Sequence, residues 1–385
     1  MMRRWGRTWP SAVSCLVTAL ALSALAGCGG GITVTEGPGR VSASQPAYAQ
    51  AGPYPVGVTT LQLPDRQVEV WYPAVPGSEA GMAHDTYRQT DALTDPILKS
   101  FAEGIARREH INLVFETRSF RGLPPSDKRP FPVVVFSHGF GAWRTLNSSL
   151  IAGIASWGFV VGSADYHERG LNAVATSTVT ATPAKDLAIT LDTLALLRST
   201  NAAAGGLLTG LMDFDHVAVV GHSAGGRTAL DALGQPDFDV AIGYAAAGGA
   251  TNTGKPVMLV AARNDIGITT EFTEGLFASL SSPKRLVIIE RSGHNSFSDI
   301  CTPIREGASL AQLAIAAGLQ IDRRLLDLAE NGCAAEDLAP EEVWSITQHF
   351  TVAELRAVFG IDDPAVGLGP GVADAFEVPV DYRAQ

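Results

Sequence analysis

The chain has 385 residues, of which 46% are hydrophobic and 17% are charged, and its formal net charge is −11. This hydrophobic share is typical of a globular protein, and the negative charge implies an anionic surface. No run of basic residues occurs. Because phosphate binding needs clustered Lys and Arg, the sequence argues against a nucleic-acid partner.

The first 27 residues have the layout of a secretory signal. They begin with Arg3, Arg4 and Arg7, and continue with an apolar stretch over residues 12–26. That stretch is too short to span a bilayer as a helix of the mature protein. We therefore expect residues 1–27 to be a signal peptide and the protein to be exported.

The apolar stretch ends in the letters LAGC at residues 25–28, which resemble the lipobox of bacterial lipoproteins. Cleavage would then precede Cys28, and Cys28 would carry the lipid. This predicts an anchor on the outer face of the bacterial cell membrane. The alternative is an ordinary signal peptide with a chance cysteine, and a secreted protein.

Residues 28–52 are rich in Gly, Ser, Pro and Ala and show neither a helical nor a strand period. This composition predicts a flexible tether between the lipid and the body. After the tether, no stretch is long and apolar enough for a membrane-spanning helix. The remaining residues 53–385 fit one domain with insertions.

The body begins with two β-rich segments, 55–63 and 68–72, which predict an antiparallel pair at the edge of a sheet. Residues 75–130 are less regular and predict an insertion, with one amphipathic helix at 96–108. The segment 302–340 predicts a second, helical insertion that could serve as a lid.

From residue 132 onward, strand and helix patterns alternate. The apolar run at 132–136 is typical of a strand buried on both faces of a parallel sheet. Further strands are predicted at 158–165, 216–220, 239–244, 256–261 and 285–290, and helices at 142–156, 184–198, 223–233, 271–280 and 343–359. This alternation predicts an α/β fold: a mostly parallel central sheet with helices on both faces.

The letters GHSAG at residues 221–225 form a GxSxG motif centred on Ser223. The motif directly follows a predicted strand and opens a predicted helix, which is the context of a nucleophile elbow. The alternative is a glycine-rich turn with a buried serine. A serine hydroxyl is a poor nucleophile unless a base lies beside it, so the elbow also predicts a base.

His294 is the predicted base, because it follows the strand at 285–290 and should lie at the carboxyl edge of the sheet. The base needs a carboxylate to fix its tautomer, and we predict Asp265 for this role. The chain order of nucleophile, acid and base is the usual one for such an elbow. Asp299 and Glu290 flank the histidine and are weaker candidates. The alternative for His294 is an ordinary surface-loop histidine, and the alternative for Asp265 is a solvated loop aspartate.

Two backbone donors should hold the oxyanion of a tetrahedral intermediate. One is the N–H of Ala224, which follows the nucleophile. The other is the N–H of Phe140, in the HGxG sequence of residues 138–141. His138 is predicted to be a structural loop histidine and not a second base.

The letters FSHGFGAWR at 136–144, with GHSAGG at 221–226, resemble the platelet-activating-factor acetylhydrolase and dienelactone-hydrolase-like group of α/β-hydrolases. The resemblance covers roughly residues 53–300 and implies metal-free hydrolysis of esters, often with a short acyl group, without a cofactor. Some members take the acid from the preceding strand. The matching letters here, YAAAG at 244–248, contain no carboxylate. That departure supports Asp265 and leaves close identity with those members open.

The chain has four cysteines. Cys15 would leave with the signal and Cys28 would carry the lipid, so Cys301 and Cys333 remain. Outside the cytosol a remaining pair usually forms a disulfide, and two free buried thiols are the alternative. No CxxC or HExxH pattern supports a metal site.

The sequence therefore predicts a serine carboxylic-ester hydrolase acting on a small-molecule or lipid ester through an acyl-enzyme. One alternative is an amidase or peptidase, because the same three side chains also cleave amides. The other is a catalytically idle, lipid-anchored binding protein, because a fold alone does not fix a function. The acyl chain, the alcohol and the oligomeric state stay open.

Overall fold

The computed structural model describes residues 43–249, 253–309, 312–313, 315 and 323–385. The expected signal peptide and Cys28 lie outside these residues. Within the described ranges, no helix is both long enough and apolar enough to cross a membrane.

The described strands are β1 (Val56–Gln62), β2 (Gln67–Pro73), β3 (Thr86–Arg88), β4 (Val114–Glu116), β5 (Phe120–Arg121), β6 (Phe131–Ser137), β7 (Val160–Ala164), β8 (Met212–His222), β9 (Val240–Tyr244), β10 (Val257–Ala262), β11 (Lys284–Ile289) and β12 (Val380–Ala384). The main sheet has the order β12-β11-β10-β9-β8-β6-β7-β2-β1-β5, and β3 pairs with β4. The six strands from β6 to β11 all run parallel to one another, as the sequence predicts. Strand β8 therefore lies in the middle of the sheet.

The described helices are α1 (Pro96–Glu109), α2 (Ser148–Ala155), α3 (Leu171–Ala175), α4 (Pro183–Ala202), α5 (Ala224–Ala232), α6 (Thr270–Ser279), α7 (Cys301–Arg305), α8 (Arg323–Glu330) and α9 (Pro340–Val358). Short 3-10 helices span Gln89–Ala92, His294–Phe297 and Ala373–Ala375. Side chains cap several of the helices: Asp95 accepts from the first turn of α1, and Thr182 accepts from Lys185 N–H in α4. Capping of this kind satisfies backbone donors that a helix leaves open at its start.

Alternate side chains of the parallel strands point to opposite faces, and each face is covered by helices. On one face, Val134 and Phe136 of β6 belong to a core with α2 and α9. On the other face, Val133 and Val135 belong to a core with α4, α5 and α6. Burial on both faces explains why the letters of β6 are continuously apolar.

Both edges of the sheet differ from the expectation. The strand at 285–290 is not the last one, because β12 pairs antiparallel with β11. Its letters VDYRA alternate apolar and polar residues over only five positions, and Val380 and Tyr382 are partly buried against the core. At the other edge, β1 and β2 form the expected antiparallel pair, but β5 lies outside them.

The helix expected from residue 142 begins only at Ser148. The intervening chain is held by its side chains: Arg144 donates to Asp165 at 2.8 Å, and Asn147 donates to the Phe297 carbonyl at 2.9 Å. These contacts fix an irregular loop where the letters alone favour a helix.

Residues 43–52, expected to belong to the tether, instead pack against the domain. Tyr48 is buried, its N–H donates to His349 Nδ1 at 3.2 Å, and its hydroxyl donates to Asp362. Gln348 donates to the Tyr48 carbonyl at 2.7 Å. The single aromatic residue in a Gly- and Ala-rich stretch therefore anchors this segment to α9.

A disulfide joins Cys301 to Cys333, as the sequence predicts, with their Cα atoms 4.7 Å apart. It connects the start of α7 to the segment after α8. The two cysteines are 32 residues apart in sequence, so the bond closes a long loop.

Replacing both Cys301 and Cys333 by Ala should lower the free energy of unfolding by about 4 kcal/mol, because the open loop regains conformational entropy in the unfolded chain. Urea denaturation measures the change. A reductant should lower the stability of the wild type to that of the double variant and leave the variant unchanged. A wild type whose stability is insensitive to reductant under unfolding conditions would contradict this assignment.

Candidate active site

Ser223 lies on a sharp turn between β8 and α5, with φ of 58° and ψ of −118°. A non-glycine residue rarely adopts this region, and such strain persists only where the surroundings enforce it. Here the flanking glycines permit the turn. A Cβ on Gly225 would overlap the Ser137 carbonyl, and a Cβ on Gly221 would overlap the Gly225 carbonyl. The two glycines of the motif are thus required by close backbone contacts.

The three residues predicted as a triad lie together in one hydrogen-bonded chain. Ser223 Oγ lies 2.9 Å from His294 Nε2. On the other side of the ring, His294 Nδ1 lies 2.7 Å from Asp265 Oδ2. With a proton on Nδ1, the ring donates to the carboxylate and leaves Nε2 free to accept the serine proton. This arrangement can activate the serine hydroxyl.

The strand register explains why these residues meet. Ala262, the last residue of β10, pairs with Ile289, the last residue of β11, so the loops that follow both strands emerge at the same edge. Asp265 lies in the first loop and His294 in the second. Asp265 Oδ1 also accepts the N–H groups of Gly267 and Ile268, both at 2.7 Å, which fix its carboxylate.

The two weaker acid candidates are engaged elsewhere. Asp299 accepts from the Ser148 hydroxyl at 2.5 Å and from the Ser149 N–H, at the start of α2. Burial raises the pKa of Asp299 to about 6. Glu290 pairs with Arg263 at 2.7 Å. Neither carboxylate contacts the His294 ring among the contacts of the described residues.

The HGxG loop runs beside Ser223. A Cβ on Gly139 would lie 3.3 Å from Ser223 Cβ, so this position leaves little room for a side chain. Phe140 follows in the loop, and this residue is 55% exposed. Among the hydrogen bonds of the described residues, the N–H groups of Phe140 and Ala224 have no acceptor. Both predicted oxyanion donors are thus available to a ligand.

A buried arginine holds this loop in place. Arg169 is 1% exposed and forms an ion pair with Asp186. It donates to Ser137 Oγ at 2.8 Å and to the His138 carbonyl at 2.7 Å, and its own carbonyl accepts the Gly141 N–H at 2.8 Å. Removing Asp186 would leave the buried charge of Arg169 without its ion pair, and removing Arg169 would leave the His138 carbonyl without this hydrogen bond. No local motif surrounds Arg169, so the sequence alone does not mark it as a residue of the site.

Two further histidines near the site are buried and structural. Burial lowers the pKa of both His138 and His222 to about 3, so both rings are neutral. His138 donates from Nδ1 to the Gly139 carbonyl and accepts the Tyr166 N–H at Nε2, which agrees with its predicted loop role. His222 donates from Nε2 to the His294 carbonyl at 2.9 Å. It occupies the variable position of GxSxG, and its role was not predicted.

Asn331 is a second residue of the site that was not predicted from the sequence. Its side-chain oxygen accepts the His294 N–H at 2.8 Å. It follows α8, in a segment that was predicted only as part of the second insertion. Nothing in the sequence marks it, apart from the nearby Cys333.

Within the described ranges, no group of three or more His, Cys, Asp or Glu side chains converges in a way that could hold a metal ion.

Residues 99–201 match the family described as platelet-activating factor acetylhydrolase, isoform II. This match includes the HGxG loop and ends before the GxSxG motif. A platelet-activating factor acetylhydrolase from Gallus gallus is 26% identical over 141 residues, which are 32% of this chain and 31% of that protein. The alignment thus spans about a third of the relative's length.

A ferulic acid esterase from Streptomyces cinnamoneus has a similar structure, with a TM-score of 0.59 and 20% sequence identity. The match covers 88% of this chain and 99% of the esterase. At this identity the likeness establishes the fold. Together with the strand order, it confirms the fold expected from the sequence: the chain has an α/β-hydrolase fold, and its residues 99–201 match the acetylhydrolase family.

Proposed function

We propose that this protein is a serine carboxylic-ester hydrolase that works through an acyl-enzyme on Ser223. The observation that carries the proposal is the hydrogen-bonded chain of Ser223, His294 and Asp265, with distances of 2.9 and 2.7 Å. The names of the similar proteins, an acetylhydrolase and an esterase, favour esters over amides as substrates.

In the proposed mechanism, Ser223 Oγ attacks the ester carbonyl carbon while its proton passes to His294 Nε2. Asp265 stabilises the imidazolium that results. The carbonyl oxygen becomes an oxyanion and accepts hydrogen bonds from the N–H groups of Phe140 and Ala224. The intermediate then collapses, the C–O bond to the alcohol breaks, and His294 returns the proton to the departing alcohol.

Water completes the cycle. His294 Nε2 takes a proton from a water molecule, whose oxygen attacks the acyl-enzyme carbonyl. The second tetrahedral intermediate uses the same two backbone donors. When it collapses, the Ser223 oxygen leaves and regains its proton from His294, and the carboxylic acid is released.

Apolar side chains near the site support a substrate with an apolar part. Phe140 is 55% exposed, and Ile266, the neighbour of Asp265, is 58% exposed. Phe272 is 47% exposed, and its ring lies close to Gly248 in the loop after β9. We propose short-chain acyl esters as substrates, in keeping with the acetylhydrolase family that residues 99–201 match.

Ser223→Ala should reduce ester hydrolysis to less than about a thousandth of the wild-type rate, because the residual backbone donors cannot replace the nucleophile. The measurement is the hydrolysis of p-nitrophenyl esters from acetate to palmitate. Ser279→Ala, a change of the same size at an exposed serine that donates only to Leu276 O, is the control and should keep wild-type activity.

The chain length that is cleaved fastest would indicate the size of the acyl site. Near-wild-type activity in Ser223→Ala would overturn the proposal. Faster cleavage of matched p-nitroanilides would indicate an amidase instead. Folded wild-type protein that cleaves neither class and does not react with a fluorophosphonate would indicate an idle binding protein.

Asp265→Asn should lower kcat by about 10⁴-fold, because the amide no longer favours the productive tautomer of His294. Asp299→Asn, the same change at a buried aspartate that contacts α2, should remain within a few-fold of the wild type. The ratio of the two kcat values is the measurement. A large loss in Asp299→Asn with little change in Asp265→Asn would assign the acid to Asp299.

We further propose that the protein is exported and is held at the membrane by a lipid on Cys28. The basic start, the apolar stretch and the LAGC letters support this proposal. The Cys301–Cys333 disulfide suits an oxidising compartment. The substrate would then be met outside the cytoplasm.

Cys28→Ser should move the protein from the membrane fraction to the soluble fraction of expressing bacteria, because it removes the acceptor of the lipid. Cell fractionation with an immunoblot measures this distribution. Cys15→Ser is the matched control and should leave the protein with the membrane. An unchanged distribution for Cys28→Ser would favour an ordinary signal peptide or another mode of attachment.

A further inference from the structure

The side chain of Asn331 connects the two loops that carry the predicted acid and base. Its Oδ1 accepts the N–H of His294 at 2.8 Å and the N–H of Ile266 at 3.2 Å. Its Nδ2 donates to the Asn264 carbonyl at 2.9 Å. One amide therefore holds the backbone of the base and the two residues on either side of Asp265.

This contact lies beyond the point where the sheet stops aligning the two loops. The last regular pairing is between the ends of β10 and β11, and the Asn264 N–H still reaches the Ser292 carbonyl at 2.8 Å. Past that point the loop that carries Asp265 (the acid loop) and the loop that carries His294 (the base loop) are no longer joined by strand pairing. Asn331 joins them again at the positions where the triad hydrogen bond must form.

Asn331 is itself held firmly. Its carbonyl accepts the Asn295 N–H at 2.9 Å. Asn295 in turn donates from its side chain to the Leu328 carbonyl at 2.7 Å, near the end of α8. The next residue, Gly332, packs so closely against Gly293 that a Cβ on Gly293 would overlap its backbone.

The disulfide fixes the same segment from the other side. Cys333 is bonded to Cys301 in α7, and Arg305 of that helix donates to the Cys333 carbonyl at 3.0 Å. The Asn331–Cys333 segment is therefore attached to α7, to α8 and to the loop of His294. A residue held in this way can set the position of the groups that it contacts.

We propose that Asn331 is a positioning residue for the proton transfer between Ser223 and His294. By fixing the spacing of the acid and base loops, it keeps His294 Nδ1 on Asp265 and His294 Nε2 on Ser223. This inference rests on the proposed function, because it assigns Asn331 a task in that same site. The contacts of Asn331 given above are with backbone atoms of this chain, so it acts through the triad and not on the substrate.

Asn331→Ala should lower kcat by about 10- to 100-fold, because a displacement of about 1 Å in a reacting group costs up to 100-fold in rate. The KM should change by less than about twofold, since binding of the ester does not require the proton transfer. The second-order rate of fluorophosphonate reaction at Ser223 should fall in parallel with kcat, because that reaction also depends on the base but not on the identity of the ester.

Asn201→Ala is the matched control. Asn201 also uses both ends of its amide on backbone, accepting the Met212 N–H at 2.9 Å and donating to the Met212 carbonyl at 3.3 Å. Met212 begins β8, at the end of the strand opposite the nucleophile. This variant should keep the wild-type kcat and probe rate. Comparing the thermal unfolding of Asn201→Ala with that of Asn331→Ala shows how much stability the protein loses with an amide of this kind.

Asn331→Asp is a second variant for the case in which Asn331→Ala does not fold. It keeps an oxygen for the His294 and Ile266 N–H groups but places a carboxylate oxygen against the Asn264 carbonyl. Its kcat should also fall, by about 10-fold, with little change in KM.

The outcomes separate the two proposals. Wild-type protein that does not react with the probe would overturn the proposed function. A reactive wild type with folded Asn331 variants of unchanged kcat and probe rate would overturn the positioning role alone. Equal losses in Asn201→Ala and Asn331→Ala, or a loss expressed only in KM, would also overturn it.

Discussion

Gly225 approaches the Ser137 carbonyl so closely that no side chain fits between β6 and the start of α5. Because α5 packs so closely on β6, the chain between β8 and α5 must turn sharply at Ser223, with φ of 58°. The serine is thereby lifted above the carboxyl edge of the sheet, with Gly139 of the neighbouring loop beside it. The position of Ser223 relative to both predicted oxyanion donors depends on this one close approach.

Buried polar groups hold the loops around Ser223 in place. On one side, the buried Arg169 donates to Ser137 Oγ and to the His138 carbonyl, where water cannot compete for these hydrogen bonds. On the other side, the His294 loop is held through its backbone, by His222 at the carbonyl and by Asn331 at the N–H. Because these partners contact backbone atoms, the His294 ring keeps both nitrogens for Asp265 and Ser223. The site is thus positioned by residues that need take no part in the chemistry.

Much of the fold and the three central residues could be predicted from the sequence for local reasons. The run PVVVF is continuously apolar because both faces of β6 are buried, and GHSAG follows a strand directly, so its position on a turn was evident. Asp265 and His294 could be placed because parallel strands deliver the residues that follow them to one edge.

The parts that could not be predicted depend on distant contacts. Strand β12 follows its partner β11 only after α7, α8 and α9, so its pairing depends on a contact between distant parts of the chain. Tyr48 packs on α9, some 300 residues away in sequence, so its Gly- and Ala-rich surroundings suggested a tether. Asn331 meets the acid and base loops only after α8 has returned the chain to them.

The covalent intermediate offers the most direct test of the account. Wild-type protein is mixed with p-nitrophenyl acetate, quenched in acid within milliseconds, digested and examined by mass spectrometry. The account predicts one acetyl group on the peptide that contains Ser223, formed as one p-nitrophenol is released and lost again as water attacks. Turnover with no such adduct under conditions where deacylation is slow, or an adduct on another residue, would contradict it.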